Sequence, residues 1–175
     1  LEDTFRLRVQ KAVCDLLETV SPVNGFQHDL SPYTDRHGRP AKRVFRGRDD
    51  FGENDPLPMV SILEDPRAFD SENADGERTA TKGKYRLLIQ GFVPDDIENP
   101  TDPAFHLAAD LVTALASQKQ DRTNILGLGR KMPCVTDIEI GQPVHRPADN
   151  QVSSVAFCFL SVVLTLIEDL ERPFS

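Results

Sequence analysis

The 175 residues are 39% apolar, and 28 acidic side chains outnumber 20 basic ones, leaving a formal charge of −8. That length and apolar share fit one domain, 1–175, with a buried core, while the charge excludes a protein that coats nucleic acid unselectively, because phosphate binding needs a positive footprint. No uncharged apolar run of about 18 residues occurs, which excludes an ordinary spanning helix, and the charged, amphipathic start lacks the apolar centre of a signal peptide, so a cytosolic chain is expected.

Phe5, Val9, Val13, Leu16 and Val20 recur at steps of three and four, which predicts a helix with one apolar stripe. It stops at "SPVNG", where Pro22 cannot continue a helix and Gly25 permits a turn. In "DRHGRPAKRVFRG" a turn precedes a short strand expected over Ala41–Arg46, and "PLPMVSILEDP" predicts a second strand centred on Met59–Leu63. "RAFDSENADGERTATKGK" has few large apolar residues and reads as a mobile loop. It merges into a long strand, Lys84–Val93, whose core set is Tyr85, Leu87, Ile89, Gly91 and Val93.

Thr101-Asp102-Pro103 reads as a helix start with Asp102 as the cap and Pro103 at the first helical position. Phe105, Ala108, Ala109, Val112, Leu115 and Ala116 are the expected buried face. "DRTNILGLGRKMP" leads to a strand at Cys134–Ile140. A last strand follows, from about Val152 to Ile167, apolar on both sets of positions, so both its faces need cover from the domain or a partner subunit. At about 3.3 Å per residue it is long enough that part of it should project. The element order predicts an α+β fold: a mainly antiparallel sheet, two helices packed on one face, and a basic and acidic loop or hairpin insertion.

Candidate chemistry is sparse. Asp95, Asp96, Glu98 and Asp102 follow a strand, where carboxylates can bind Mg²⁺ or Ca²⁺. They lack calcium-loop spacing and a nearby catalytic Lys or His, so a solvated turn with a helix cap is the preferred reading. His28, His37, His106 and His145 show no ligand spacing, although His106 and Asp110 stand four apart and can meet on one helix face. Cys14, Cys134 and Cys158 are odd in number and far apart, which fits buried small side chains better than disulfides or a zinc ribbon. "GLGRK" lacks full phosphate-loop spacing and follows a helix where a strand is required. No catalytic motif and no cofactor is implied.

Arg36, His37, Arg39, Lys42, Arg43, Arg46 and Arg48 form the densest basic segment, with Asp49, Asp50, Glu53 and Asp55 directly after. It can touch phosphates, face acidic loops of a neighbouring copy, or be a solvated loop; Phe45 and the acidic run fit subunit contact better than nucleic acid.

Taken together, the N-terminal helix at 1–20, "LPMVSIL", "YRLLIQGFV", the acidic loop, "DPAFHLAADLVTAL" and "VVLTLIEDLERPF" resemble the tail terminator, or tail completion, proteins of long-tailed phages. The likeness is one of element order over most of the chain, and the basic stretch within 31–55 departs from it. It implies a non-enzymatic virion protein, assembled in the host cytoplasm, that forms a hexameric ring at the head-proximal end of the tail. Such a ring caps the tube, ends its polymerisation and joins a head-tail connector or stopper protein. Its partners would be copies of itself, the tail tube protein and that connector, with no membrane, and DNA would pass through the lumen without sequence-specific binding.

On this reading Arg36, Arg39, Lys42, Arg43, Arg46, Arg48, Phe159, Ser161 and Val163 are interface candidates. Asp95, Asp96 and Glu98 present charge at a subunit or lumen surface, where an acidic wall would repel DNA phosphates; a positive lumen would overturn that expectation. Competing readings are another neck or connector ring component, or a small metal-dependent enzyme or binding domain built on Asp95, Asp96 and Glu98.

Overall fold

A computed structural model describes residues 1–66, 79–147 and 154–175, and 71–73 as backbone. Helix α1 spans Phe5–Glu18, and the Thr4 hydroxyl accepts from the Leu7 amide at its start. Strands β1 (Tyr33–Thr34) and β2 (Pro40–Ala41) form a hairpin of their own, followed by β3 (Val44–Arg46), β4 (Met59–Glu64) and β5 (Ser71–Asn73). Then come β6 (Ala80–Pro94), α2 (Asp102–Ala116), β7 (Cys134–Ile140), β8 (Val144–Arg146) and β9 (Val155–Asp169).

Seven strands make one sheet in the order β3-β4-β6-β9-β7, with β5 also on β6 and β8 also on β9. Every pairing is antiparallel except β3 with β4. The architecture is therefore α+β, as expected.

The long pair at the centre differs from expectation. β6 and β9 pair along their whole length, from Ala80 opposite Asp169 to Pro94 opposite Val155. No part of β9 projects unpaired, and it is an interior strand between β6 on one side and β7 and β8 on the other. The reason lies in 80–83, "ATKG": its polarity reads as loop, yet backbone pairing to β9 and β5 extends β6 through it. Of the expected loop, 71–73 is strand β5, while 67–70 and 74–78 lie outside the described residues, as do 152 and 153 of the last strand. The strand expected over Ala41–Arg46 divides into β2 and β3 around Lys42 and Arg43.

One face of the sheet carries the core. Tyr85, Leu87, Ile89 and Val93 of β6, the even positions Ala156 to Leu166 of β9, Val60, Ile62 and Ile138 form one cluster with both helices. α1 contributes Phe5, Val9, Val13, Cys14 and Leu17; Leu17 takes the place expected of Leu16, which is partly buried. In α2, Ala104, Leu107, Ala108, Leu111, Ala114 and Leu115 are buried, whereas Phe105 is 54% exposed and Ala109 is exposed. The expected face is thus rotated, because the helix is apolar almost all round and the sheet decides. Gly91 leaves room in β6 that the Leu107 and Leu111 side chains fill. Thr101, not Asp102, is the cap residue, with no side-chain bond; Asp102 lies in the first turn, where a negative charge meets the positive end of the helix dipole.

Candidate assembly surface

The opposite face of the sheet is built from alternate residues of the same strands. Phe92 stands across from Phe157 with ring centroids 6.1 Å apart, and Phe159 follows Phe157 at 6.4 Å. The segment after β3 folds over one part of this face: Phe51 lies 4.3 Å from Phe92, and Arg48 sits over Phe45 and Phe51 while pairing with Asp55 at 2.6 Å. Ser61, buried beneath, donates its hydroxyl to the Arg48 carbonyl. Beyond this cover lies a groove of about 440 Å³ lined by Asp65, Pro66, Leu88, Gln90, Phe157, Phe159 and Ser161. Phe159, Ser161 and Val163 share this face, opposite Gln90, Leu88 and Arg86; Ser161 is exposed and the other two are half-buried.

The basic segment is largely occupied within the chain. Arg39 pairs with Asp35 at 3.1 Å, and Lys42 reaches Glu18 at 3.5 Å. Arg43 donates to the Pro58 carbonyl and covers the Tyr33 ring. Arg46 lies beside the Cys14 thiol, and Arg36 donates to His37. Among the described residues, then, Arg36 and Arg46 have no carboxylate partner.

The acidic loop has a local duty. One Asp96 oxygen accepts from the amides of Glu98 and Asn99 at 2.9 and 2.8 Å, which fixes the turn. The Asp95 amide donates to the Ser154 carbonyl. Glu98 is exposed, and Ile97 between the carboxylates is 97% exposed. No group of three or more His, Cys, Asp or Glu that could hold a metal ion occurs among the described residues.

His106 and Asp110, which helical spacing allows to meet, do not pair. Asp110 is buried, and one of its oxygens accepts from the amides of Gln27 and His28 and from His28 Nδ1, at 3.1, 2.9 and 2.8 Å. His106 is exposed, and His145 stacks on Phe105 at 3.5 Å. Burial raises all three thiols, Cys158 to about 11, so they are poor nucleophiles at neutral pH.

No family model matches the chain, and no curated protein matches it. Among solved structures, a chain of "Virion of native gene transfer agent (GTA) particle" is similar at 14% identity over 71% of this chain and 78% of that one, with a TM-score of 0.42. A second solved structure, which bears no functional description, is 17% identical over 92% of each chain, with a TM-score of 0.46. Likeness at this level leaves function to be argued from the residues.

Sequence reasoning missed Leu88, Gln90 and Phe157, which complete the groove, and Tyr33, which carries Arg43. For the first two the signal is the period-two alternation of "YRLLIQGFV", which sets Arg86, Leu88, Gln90 and Phe92 on the face opposite the core.

Proposed function

We propose that this chain is a structural virion protein of the tail terminator kind, whose copies form a ring, hexameric on this reading, that caps a tail tube. The carrying observation is the second face of the β6–β9 pair. Leu88, Phe157 and Phe159 lie there in an open groove whose described lining has no helix over it, and half-buried Val163 shares the same face. Apolar surface left in water forgoes about 25 cal/mol per Å², and a neighbouring copy over this face would recover it. A ring then ends polymerisation by presenting the tube with a complementary face on one side and refusing another tube layer on the other.

Sedimentation velocity and negative-stain images of the purified chain test this reading. A ring at six times the 19.5 kDa of one chain is expected, and a strict monomer at tens of micromolar would sink the proposal. Phe159→Asp places a charge in the groove while leaving the core face intact. It should lower ring affinity at least tenfold per contact, with a melting temperature for the dissociated chain within about 2 °C of the parent's.

A further inference from the structure

We infer that neighbouring copies in this ring meet through the acidic loop at 95–98 of one copy and the basic hairpin region at 33–46 of the next, an inference that rests on the ring reading. The loop offers Asp95, Ile97 and Glu98 on a turn already fixed by Asp96, so docking need not order it. Among the described residues neither Asp95 nor Glu98 has an ion-pair partner. The hairpin is a separate two-stranded sheet. Its turn is held by Asp35, which accepts from the amides of His37 and Arg39 at 2.8 and 2.9 Å. A hairpin of this size is marginal alone. It carries Arg36 exposed at its turn, and Arg46 stands exposed on the strand that follows, each without a carboxylate partner among the described residues. Tyr33 is half-buried with Arg43 over its ring, and what remains of its surface is open to Ile97.

The register sets the hairpin and the acidic loop at one end of the sheet. The hairpin runs into β3 at Val44, opposite Val60, which stands opposite Gly91 of β6. The loop leaves β6 after Pro94, opposite Val155. The hairpin and the loop therefore lie at the same end of the sheet, separated sideways by at least two strand spacings, about 10 Å, while Arg46, opposite Ile62 and so level with Ile89, stands about 20 Å along the strands from the loop. Joining two different patches makes the contact heterologous, the kind that builds a ring where the rotation closes and a filament where it does not. Opposite charge across the contact fixes its register and makes it sensitive to salt.

Two charge-reversed chains test the contact. One carries Arg36→Glu and Arg46→Glu, the other Asp95→Arg and Glu98→Arg; Arg43 and Asp96 stay because each holds its own segment. Sedimentation velocity at low salt should show each reversed chain alone dissociated, with the ring fraction at least tenfold below the parent's. Mixed in equal amounts, the two should form rings again, because every contact in an alternating ring then joins opposite charges. Rescue by mixing also shows that both chains fold. Should either reversal melt early, the neutral pair Arg36→Gln and Asp95→Asn replaces it, with weaker rings and a shallower salt dependence expected. A parent chain that sediments as a monomer overturns the ring reading itself. A parent ring whose reversed variants still form rings, or whose mixture stays dissociated, overturns this contact and leaves the ring reading standing.

Discussion

Asp110→Ala is expected to cost about 2–4 kcal/mol, because removing a charged acceptor strands its donors at about 1–3 kcal/mol each. The carboxylate is buried on α2, and its three bonds go to a segment more than 80 residues away in sequence: the Gln27 amide, the His28 amide and the His28 ring. Alanine leaves two amides and the His28 ring without their shared acceptor at a part-buried site, so the loss exceeds that of one exchanged hydrogen bond. Urea unfolding at pH 7 should show the midpoint fall with an unchanged slope, and the melting temperature should drop by about 10 °C. His28→Ala is the control. It keeps both amide bonds and should cost about 1 kcal/mol. An Asp110→Ala loss no larger than that of His28→Ala would mean that Phe26 and Leu30, packed in the core, hold this segment without the carboxylate.

This network also marks where sequence reading stops. Asp110 stands four residues from His106, and a helix makes that the natural pair; the partner it takes is fixed by how the chain after α1 crosses α2, which no local spacing encodes. By contrast β6 is legible from "YRLLIQGFV" alone, since Tyr85, Leu87, Ile89, Gly91 and Val93 recur at period two and all are buried. The face of α2 was ambiguous for a physical reason. With Phe105, Leu107, Ala108, Ala109, Leu111, Val112, Ala114 and Leu115 in one helix, periodicity permits more than one apolar side, and the sheet surface beneath selects among them.

The same division runs through the candidate surface. Alternation along the last strand puts Phe159, Ser161 and Val163 on one face. Only the β6–β9 register adds Leu88 and Gln90 beside them. Charge density picked out residues 36–48 as one basic patch, but Asp35, Glu18 and Asp55 take Arg39, Lys42 and Arg48, and the Pro58 carbonyl and Tyr33 ring hold Arg43, which leaves Arg36 and Arg46 as the cations to watch. A run of one sign is read easily from sequence. Its neutralisation by partners brought in by the fold is not.

Leu107→Ala is expected to cost about 2–5 kcal/mol, and its size should depend on the residue at 91. Leu107 is fully buried where α2 crosses the sheet, and truncation removes both transfer energy and packing contacts. A Cβ added at Gly91 would come within 2.9 Å of a Leu107 methyl, 3.0 Å of the Cys158 sulfur and 3.2 Å of a Leu111 methyl, so Gly91→Ala alone should cost about 1–3 kcal/mol by overpacking. In the double variant the new methyl occupies part of the space that Leu107 vacated, relieving the closest of those approaches. The summed losses should therefore exceed the double-variant loss by about 1 kcal/mol, a coupling that urea unfolding of the four chains measures directly. If the losses simply add, α2 tilts on the sheet instead of holding its seat over Gly91. The close fit would then be a consequence of the helix position and not what sets it.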